Sequence, residues 1–221
     1  MMHDTVFLFD VDNTLLDNDR VQADLHVHIG IEHGIAARNR YWEIFEKLQD
    51  ELGYADYLGA LERYRLEDMH DPRLLRISHW LAEYPFANRL YPHALDAVKP
   101  VQQWAPIVIL SDGDAVFQPR KVDRAGLWQA FDGNVLIYVH KEEELDYVQQ
   151  LYPAKRYVMI DDKLRILDAM KTVWGDKLTT VFAQQGHYAT DPQILAAYSH
   201  GDVQIAHIGD LVNYDIVDLA K

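Results

Sequence analysis

Asp10 and Asp12 stand one residue apart in Asp10-Val11-Asp12-Asn13-Thr14, directly after the apolar run Val6-Phe7-Leu8-Phe9. At the carboxyl end of a strand this spacing sets both carboxylates on one side, and like charges that close are costly unless a cation or a proton lies between them. Taken alone, Asp-x-Asp-Asn is also compatible with a solvated acidic turn. Three later features weigh against that bland reading, because each follows another apolar run. Ser111-Asp112-Gly113 follows residues 107–110, Lys141 follows residues 135–139 and His140, and Asp161-Asp162 follows residues 157–160. Ser111 offers a hydroxyl, Gly113 a loosened backbone for an anion, Lys141 a cation, and the distal pair more carboxylate oxygens. This is the set needed to hold Mg²⁺ and to pass a phosphoryl group through an aspartyl-phosphate.

The elements that must position these groups are legible in the same runs. Residues 5–9, 107–110, 135–139, 157–160 and 178–182, with a weaker 203–205, read as strands buried on both faces. Helical stretches at 119–125, 142–151, 163–174 and 192–198 alternate with them. The alternation predicts an α/β fold, a Rossmann-like three-layer core around a parallel sheet. In such sheets ligands bind beyond the carboxyl ends of the strands, where the acidic and basic residues would converge. Gly126 is placed for a left-handed helix cap, and Asp191-Pro192 for a helix start. Residues 18–90 contain no strand-like run. Tyr41, Ile44, Phe45, Leu48 and Leu52 form one helical stripe, and Leu74, Ile77, Leu81 and Tyr84 another. The expected organisation is a catalytic core of residues 1–17 and 91–221 with an inserted all-helical cap at 18–90.

Composition bounds the function classes. With 21 Lys+Arg against 35 Asp+Glu the net charge is −14, a sign that repels nucleic acid and anionic membranes unless a local patch or metal overrides it. Neither is an expected partner. There is no cysteine, which excludes disulfides, thiolate nucleophiles and Cys-ligated metals. No apolar stretch approaches the roughly 18 residues of a membrane span, and Met1-Met2-His3-Asp4 carries no secretory pattern. The expected location is cytoplasmic.

In the order of these motifs the sequence resembles the haloacid dehalogenase superfamily. Within it, the phosphatase branch with a C1-type helical cap is nearest, of the phosphoglycolate-phosphatase-like kind. The resemblance implies roles residue by residue. Asp10 would attack phosphorus, and Asp12 would protonate the departing oxygen and later deprotonate the hydrolytic water. Ser111 and backbone amides near Asp112 and Gly113 would hold phosphoryl oxygens, and Lys141 would offset the charge on Asp10 and the phosphoryl group. Mg²⁺ would be held by Asp10, the backbone carbonyl of Asp12 and the fourth motif. There Asp162 takes the position of the metal-binding Asp, and Asp161 stands where the family often has Gly. A further acidic or Asn residue often follows by four or five positions, but here Ile166 and Leu167 occupy those places and Asp168 comes one later. The implied activity is Mg²⁺-dependent hydrolysis of a small phosphorylated metabolite.

Rival readings come from the same residues. Lys163 and Lys121 could supply the cation in place of Lys141, although a mid-helix Lys121 reads as a solvated side chain and Lys163 as a surface ion pair. His26 and His28 fall on different sides of a helix and, with His33, read as solvated or core-edge histidines. Residues 184–188 read as a surface loop, and Arg38, Arg40, Tyr41, Trp42, Arg63 and Arg65 as solvent-facing helix surface. A phosphomutase shares every motif. A 2-haloacid dehalogenase would use Asp10 alone, and the family's dehalogenases lack the second Asp and the metal. A receiver-like or binding module is the non-enzymatic alternative.

Overall fold

The computed structural model describes residues 2–220, so Met1 of the amino-terminal stretch lies outside the described residues. Six parallel strands form one sheet in the order β3-β2-β1-β4-β5-β6. They are β1 (His3–Phe9), β2 (Ile107–Asp112), β3 (Val135–Tyr138), β4 (Ala154–Asp161), β5 (Leu178–Ala183) and β6 (Val203–Ile205). The chain moves outward from β1 through β2 to β3, then crosses back to β4 and proceeds the other way. The topological switch therefore lies between β1 and β4, where a crevice opens beyond the strand ends. Register across this point pairs Phe9 with Ile160, and the Asp10 amide donates to Ile160 O at 3.0 Å.

Alternation along the central strands fills two cores. Phe7, Phe9, Ile107, Ile109, Val158 and Ile160 face one layer, and Val6, Leu8, Val108, Leu110, Tyr157 and Met159 the other. Both faces being covered explains why these strands read as continuous apolar runs. Helices α1 (Asn18–His33), α2 (Ile35–Leu52), α3 (Tyr57–Arg65) and α4 (Leu74–Glu83) follow β1 as one helical segment. Leu16 and Leu90 pair antiparallel where the chain leaves for and returns from it. Its apolar stripes join the first core, with Tyr57 against Phe117 at 5.3 Å and Phe117 against Phe86 at 5.8 Å.

The remaining helices are α5 (Ala94–Trp104), α6 (Phe117–Arg124), α7 (Leu127–Ala130), α8 (Leu145–Leu151), α9 (Leu164–Trp174), α10 (Pro192–Ala197) and α11 (Ile216–Leu219). Gly126 adopts φ 76° after α6, and Asp191 caps α10 by accepting from the Gln193 amide, with Pro192 at its first turn. Two of the boundaries that differ from expectation bear on the site. Strand β2 runs through Ser111 and Asp112, because pairing with β3 continues to Asp112–Tyr138. The expected 142–151 helix is divided into a 3-10 turn over Lys141–Glu143 and then α8, which lets Lys141 point inward while the helix packs outside.

Candidate active site

The loop after β1 is a tight turn in which the Leu15 and Leu16 amides both donate to Val11 O at 2.9 Å. Asn13 sits in the left-handed region at φ 61°, a conformation Asn tolerates better than most residues. Its Oδ1 accepts from the Asn18 and Asp19 amides at 3.0 and 3.1 Å and so fixes where α1 begins. Gln185 braces the same turn from the loop after β5, donating to Asn13 O and Thr14 O at 3.2 and 2.9 Å. Residues 184–188 are therefore not a plain surface loop: Gln185 is buried, and His187 donates its amide to Asp19 Oδ2 at 2.8 Å. The sequence shows polar residues there, but not that they grip the β1 loop.

Asp10 is buried at this end of the sheet. Lys141 Nζ donates to Asp10 Oδ1 at 2.6 Å and to Leu110 O at 3.2 Å, and lies 2.7 Å from Asp161 Oδ2. Burial opposes the ammonium charge, but the carboxylates of Asp10, Asp161 and Asp112 outweigh it and hold the Lys141 pKa well above its ordinary value. Ser111 Oγ lies 3.4 Å from Asp10 Oδ1 and receives the Gln118 amide at 3.2 Å. Asp112 Oδ1 accepts the Lys141 backbone amide at 2.9 Å, and burial raises its carboxyl pKa. Gly113 departs from its expected role as a donor to the phosphoryl group. Its amide already donates to Tyr138 O at 2.9 Å, because pairing between β2 and β3 extends to it. Ser111 and Lys141 are thus brought to Asp10, and Gly113 is turned to the neighbouring strand.

Asp10, Asp161 and Asp162 form a buried acidic group whose ligand oxygens lie within 4.8 Å of one another. Asp161 is engaged, accepting the Lys163 amide at 2.8 Å besides its contact with Lys141. Among the described residues, Asp10 Oδ2 and both oxygens of Asp162 have no hydrogen-bond partner. Burial, then the charge of Asp161, pushes the Asp162 pKa well up, and burial likewise raises Asp161. Three buried carboxylates against one ammonium, with orphaned hard oxygens, fit a divalent cation. This group could hold a metal.

Lys121 corrects the expectation of a solvated mid-helix side chain. It is fully buried, donating to Asp12 Oδ1 and Oδ2 at 2.8 and 2.7 Å and to Asn18 Oδ1 at 3.1 Å. Lys163 also departs from its expectation: among the described residues it makes no ion pair, and its Nζ lies 5.3 Å over the Tyr188 ring. Burial opposes its charge, yet Asp162, Asp10 and Asp112 together raise its pKa.

Above these groups lies a cleft of about 340 Å³ between the helical segment and the sheet edge. Asp12, Asp112 and Lys163 line it from below, Gln22, Gln49 and Tyr54 from the helices, and His187, Tyr188 and Tyr198 from the side. Gly53 ends α2 at φ 79°, and a Cβ there would run into the His140 ring. That close approach brings Tyr54 to the cleft. Arg40, Arg63 and Arg65 are spent on exposed pairs with glutamates, as their surface reading implies, but Tyr41 is fully buried, since it belongs to the apolar stripe of α2. His26 and His28 stack on different tryptophans, Trp42 and Trp80. Nothing in the spacing of Gln22 or Gln49 marks them in the sequence, since their meaning depends on how the helices lie over the sheet.

Comparison with known proteins agrees with this geometry. The model of the haloacid dehalogenase-like hydrolase family matches residues 5–173. Among solved structures the chain is similar to a protein of Burkholderia xenovorans named as a haloacid dehalogenase-like hydrolase. The two are 58% identical, with 99% of each chain covered and a TM-score of 0.94. The magnesium-bound HAD-hydrolase YfnB of Bacillus subtilis is 18% identical over 96% of this chain and 98% of its own, with a TM-score of 0.63. The L-2-haloacid dehalogenase of Xanthobacter autotrophicus is 17% identical over the same shares, also at 0.63, and these two likenesses bear on the fold alone. No curated protein matches the chain in sequence. The family match runs from β1 and its acidic loop through the Asp161-Asp162 pair, and the chain belongs to the haloacid dehalogenase-like hydrolases.

Proposed function

We propose that this hydrolase is a Mg²⁺-dependent phosphatase of a small phosphorylated metabolite, with residues 1–17 and 91–221 as its catalytic core and 18–90 as its cap. The observation that carries this reading is the buried group of Asp10, Asp161 and Asp162, with orphaned oxygens on Asp10 and Asp162. Those residues would hold Mg²⁺, which when bound offsets charge on the phosphoryl oxygens. Asp10 attacks phosphorus and the bond to the leaving oxygen breaks, that oxygen taking a proton from Asp12. A water then loses a proton to Asp12 and attacks the Asp10 phosphate, releasing inorganic phosphate and restoring the carboxylate. Lys141, 2.6 Å from Asp10 Oδ1, neutralises the nucleophile between turnovers. The net charge of −14 is no objection, because Mg²⁺ with Lys141 and Lys163 reverses the local potential.

A dehalogenase would have the same fold as this chain, but displacement of halide by Asp10 gives no use to Asp12 or to the orphaned oxygens of Asp162. The deciding experiment is a panel of phosphate esters with Mg²⁺, scored by released phosphate, beside 2-haloacids scored by released halide. Phosphate release that stops on chelation supports the phosphatase. Halide release without metal, and no phosphate release, moves the protein to the dehalogenases.

A further inference from the structure

Asp12 is kept apart from the acidic group that Asp10 forms with Asp161 and Asp162, and the geometry points to Lys121 as the residue that keeps it there. We infer that Lys121 is the positioning residue for Asp12, and that Asn18 makes this positioning depend on the seating of the helical segment. The inference rests on Asp12 being the acid and base of the phosphatase reading.

Lys121 Nζ has three hydrogens and three acceptors: both oxygens of Asp12 and Asn18 Oδ1. No donor is left for a substrate, so Lys121 acts through Asp12 and not on the reacting atoms. Its Nζ lies over the rings of Tyr57 and Phe117, 5.7 Å from each centroid, so the ammonium has little freedom to follow a wandering carboxylate. The Asp12 side chain keeps 21% of its surface exposed and lines the cleft, while the Lys121 side chain keeps 1%. The pair is thus a buried anchor with one face of a carboxylate presented to the cleft. An acid-base group held within a few tenths of an ångström transfers protons far better than one free to rotate. Without the anchor, Asp12 would stand one residue from Asp10 with no cation of its own.

The anchor is shared with the helical segment. Asn18 is the first residue of α1, and its Nδ2 donates to Tyr57 Oη of α3 at 3.2 Å. Tyr41 of α2 in turn donates its hydroxyl to Tyr57 O at 3.0 Å. The residue that completes the Lys121 shell is therefore held by α3 directly and by α2 through Tyr57. Lys121 itself belongs to α6 of the sheet layer, 109 residues from Asp12 in sequence.

The test uses the full chain with p-nitrophenyl phosphate and Mg²⁺, comparing wild type, Lys121→Gln, Asp12→Asn and the double variant. Lys121→Gln should lower kcat about 10–100-fold, a part of the ~10²–10⁴ that acid-base catalysis supplies, with KM changed less than about threefold. Rapid acid quench and intact mass should find phosphorylated Asp10 accumulating in it, as in Asp12→Asn. The double variant should turn over no more slowly than Asp12→Asn alone, because Lys121 has then lost the group it acts through. Independent losses in the double variant, or a loss carried by KM, would overturn the inference. If Lys121→Gln does not fold, Asn18→Ala replaces it, with a smaller loss of kcat that also vanishes in the Asp12→Asn background. A wild type that is neither labelled nor active refutes the phosphatase reading instead. Lys121 is then judged by a crystal structure of Lys121→Gln, in which an unmoved Asp12 carboxylate sinks the inference.

Discussion

Three lysines surround one carboxylate cluster, and their partners divide the work among them. Lys141 is saturated by Asp10, Asp161 and Leu110 O, and Lys121 by Asp12 and Asn18, whereas Lys163 lines the cleft with its Nζ over the Tyr188 ring and, among the described residues, makes no ion pair. On the phosphatase reading, Lys163 is therefore the cation of this cluster, among the described residues, left to meet a phosphate. Lys163→Met should weaken binding of inorganic phosphate about 10-fold or more, the worth of one charge-assisted contact in a shielded site. Titration calorimetry reads this directly, and equal affinities would remove Lys163 from substrate binding. Asp10→Asn and Asp12→Asn should fail in different ways. Asn at position 10 cannot form the acyl-phosphate, so no label appears on the protein. Asn at position 12 leaves the nucleophile intact, and with a good leaving group such as p-nitrophenolate it should be phosphorylated and then stall, turnover falling ~10²–10⁴-fold. Label in both variants rules out Asp10 as the nucleophile.

At the scale of elements, the start of the helical segment is tied to its end by charge. Asp24 of α1 accepts from Arg89 Nη2 at 2.6 Å and from Tyr84 Oη at 2.5 Å, with Arg20 Nε at 3.2 Å on its other oxygen. Partial burial raises the Asp24 pKa, but the hydrogen bonds from Tyr84 and Arg89 and the two guanidinium charges outweigh it, leaving it below the ordinary 3.8. A depressed carboxylate contributes stability that is present above the unfolded value and lost as pH falls through the folded one. Asp24→Asn should cost about 1–2 kcal/mol at neutral pH, or roughly 2–6 °C in Tm. The gap to wild type should close as pH falls through the folded value, which lies below the ordinary 3.8, because both then come to carry a neutral side chain; a gap that persists once Asp24 is protonated would assign the loss to packing. The sequence showed these elements better than their joints. Strand runs such as Val6-Phe7-Leu8-Phe9 are apolar because both sheet faces are covered, so burial itself wrote the signal. Lys121 and Gln185 were not legible, since each takes its meaning from a partner more than a hundred residues away.

For the whole molecule, the fold gathers negative charge at a place shielded from solvent. The switch between β1 and β4 brings Asp10 beside Asp161 by register alone, and Asp162 follows, so an acidic protein of net charge −14 concentrates three carboxylates around Lys141, which contacts two of them, with Lys163 acting on the cluster without an ion pair among the described residues. Stability and cation binding are then linked: whatever binds the folded site and not the unfolded chain adds RT ln(1 + [L]/Kd) to the folding free energy. Mg²⁺ at about 100 times its Kd should add about 2.7 kcal/mol, or roughly 5–10 °C in Tm for a chain of this size. Ca²⁺ should do less for activity than for Tm, because its longer bonds and higher coordination number suit the oxygens but not an octahedral in-line geometry. Asp162→Asn removes two orphaned oxygens' charge without changing shape, so the metal-free variant should melt no lower than metal-free wild type, while its Mg²⁺ shift disappears. Differential scanning calorimetry with and without chelator separates the two effects. A wild-type Tm indifferent to Mg²⁺, or a full shift retained in Asp162→Asn, would mean that this cluster is not where the cation binds.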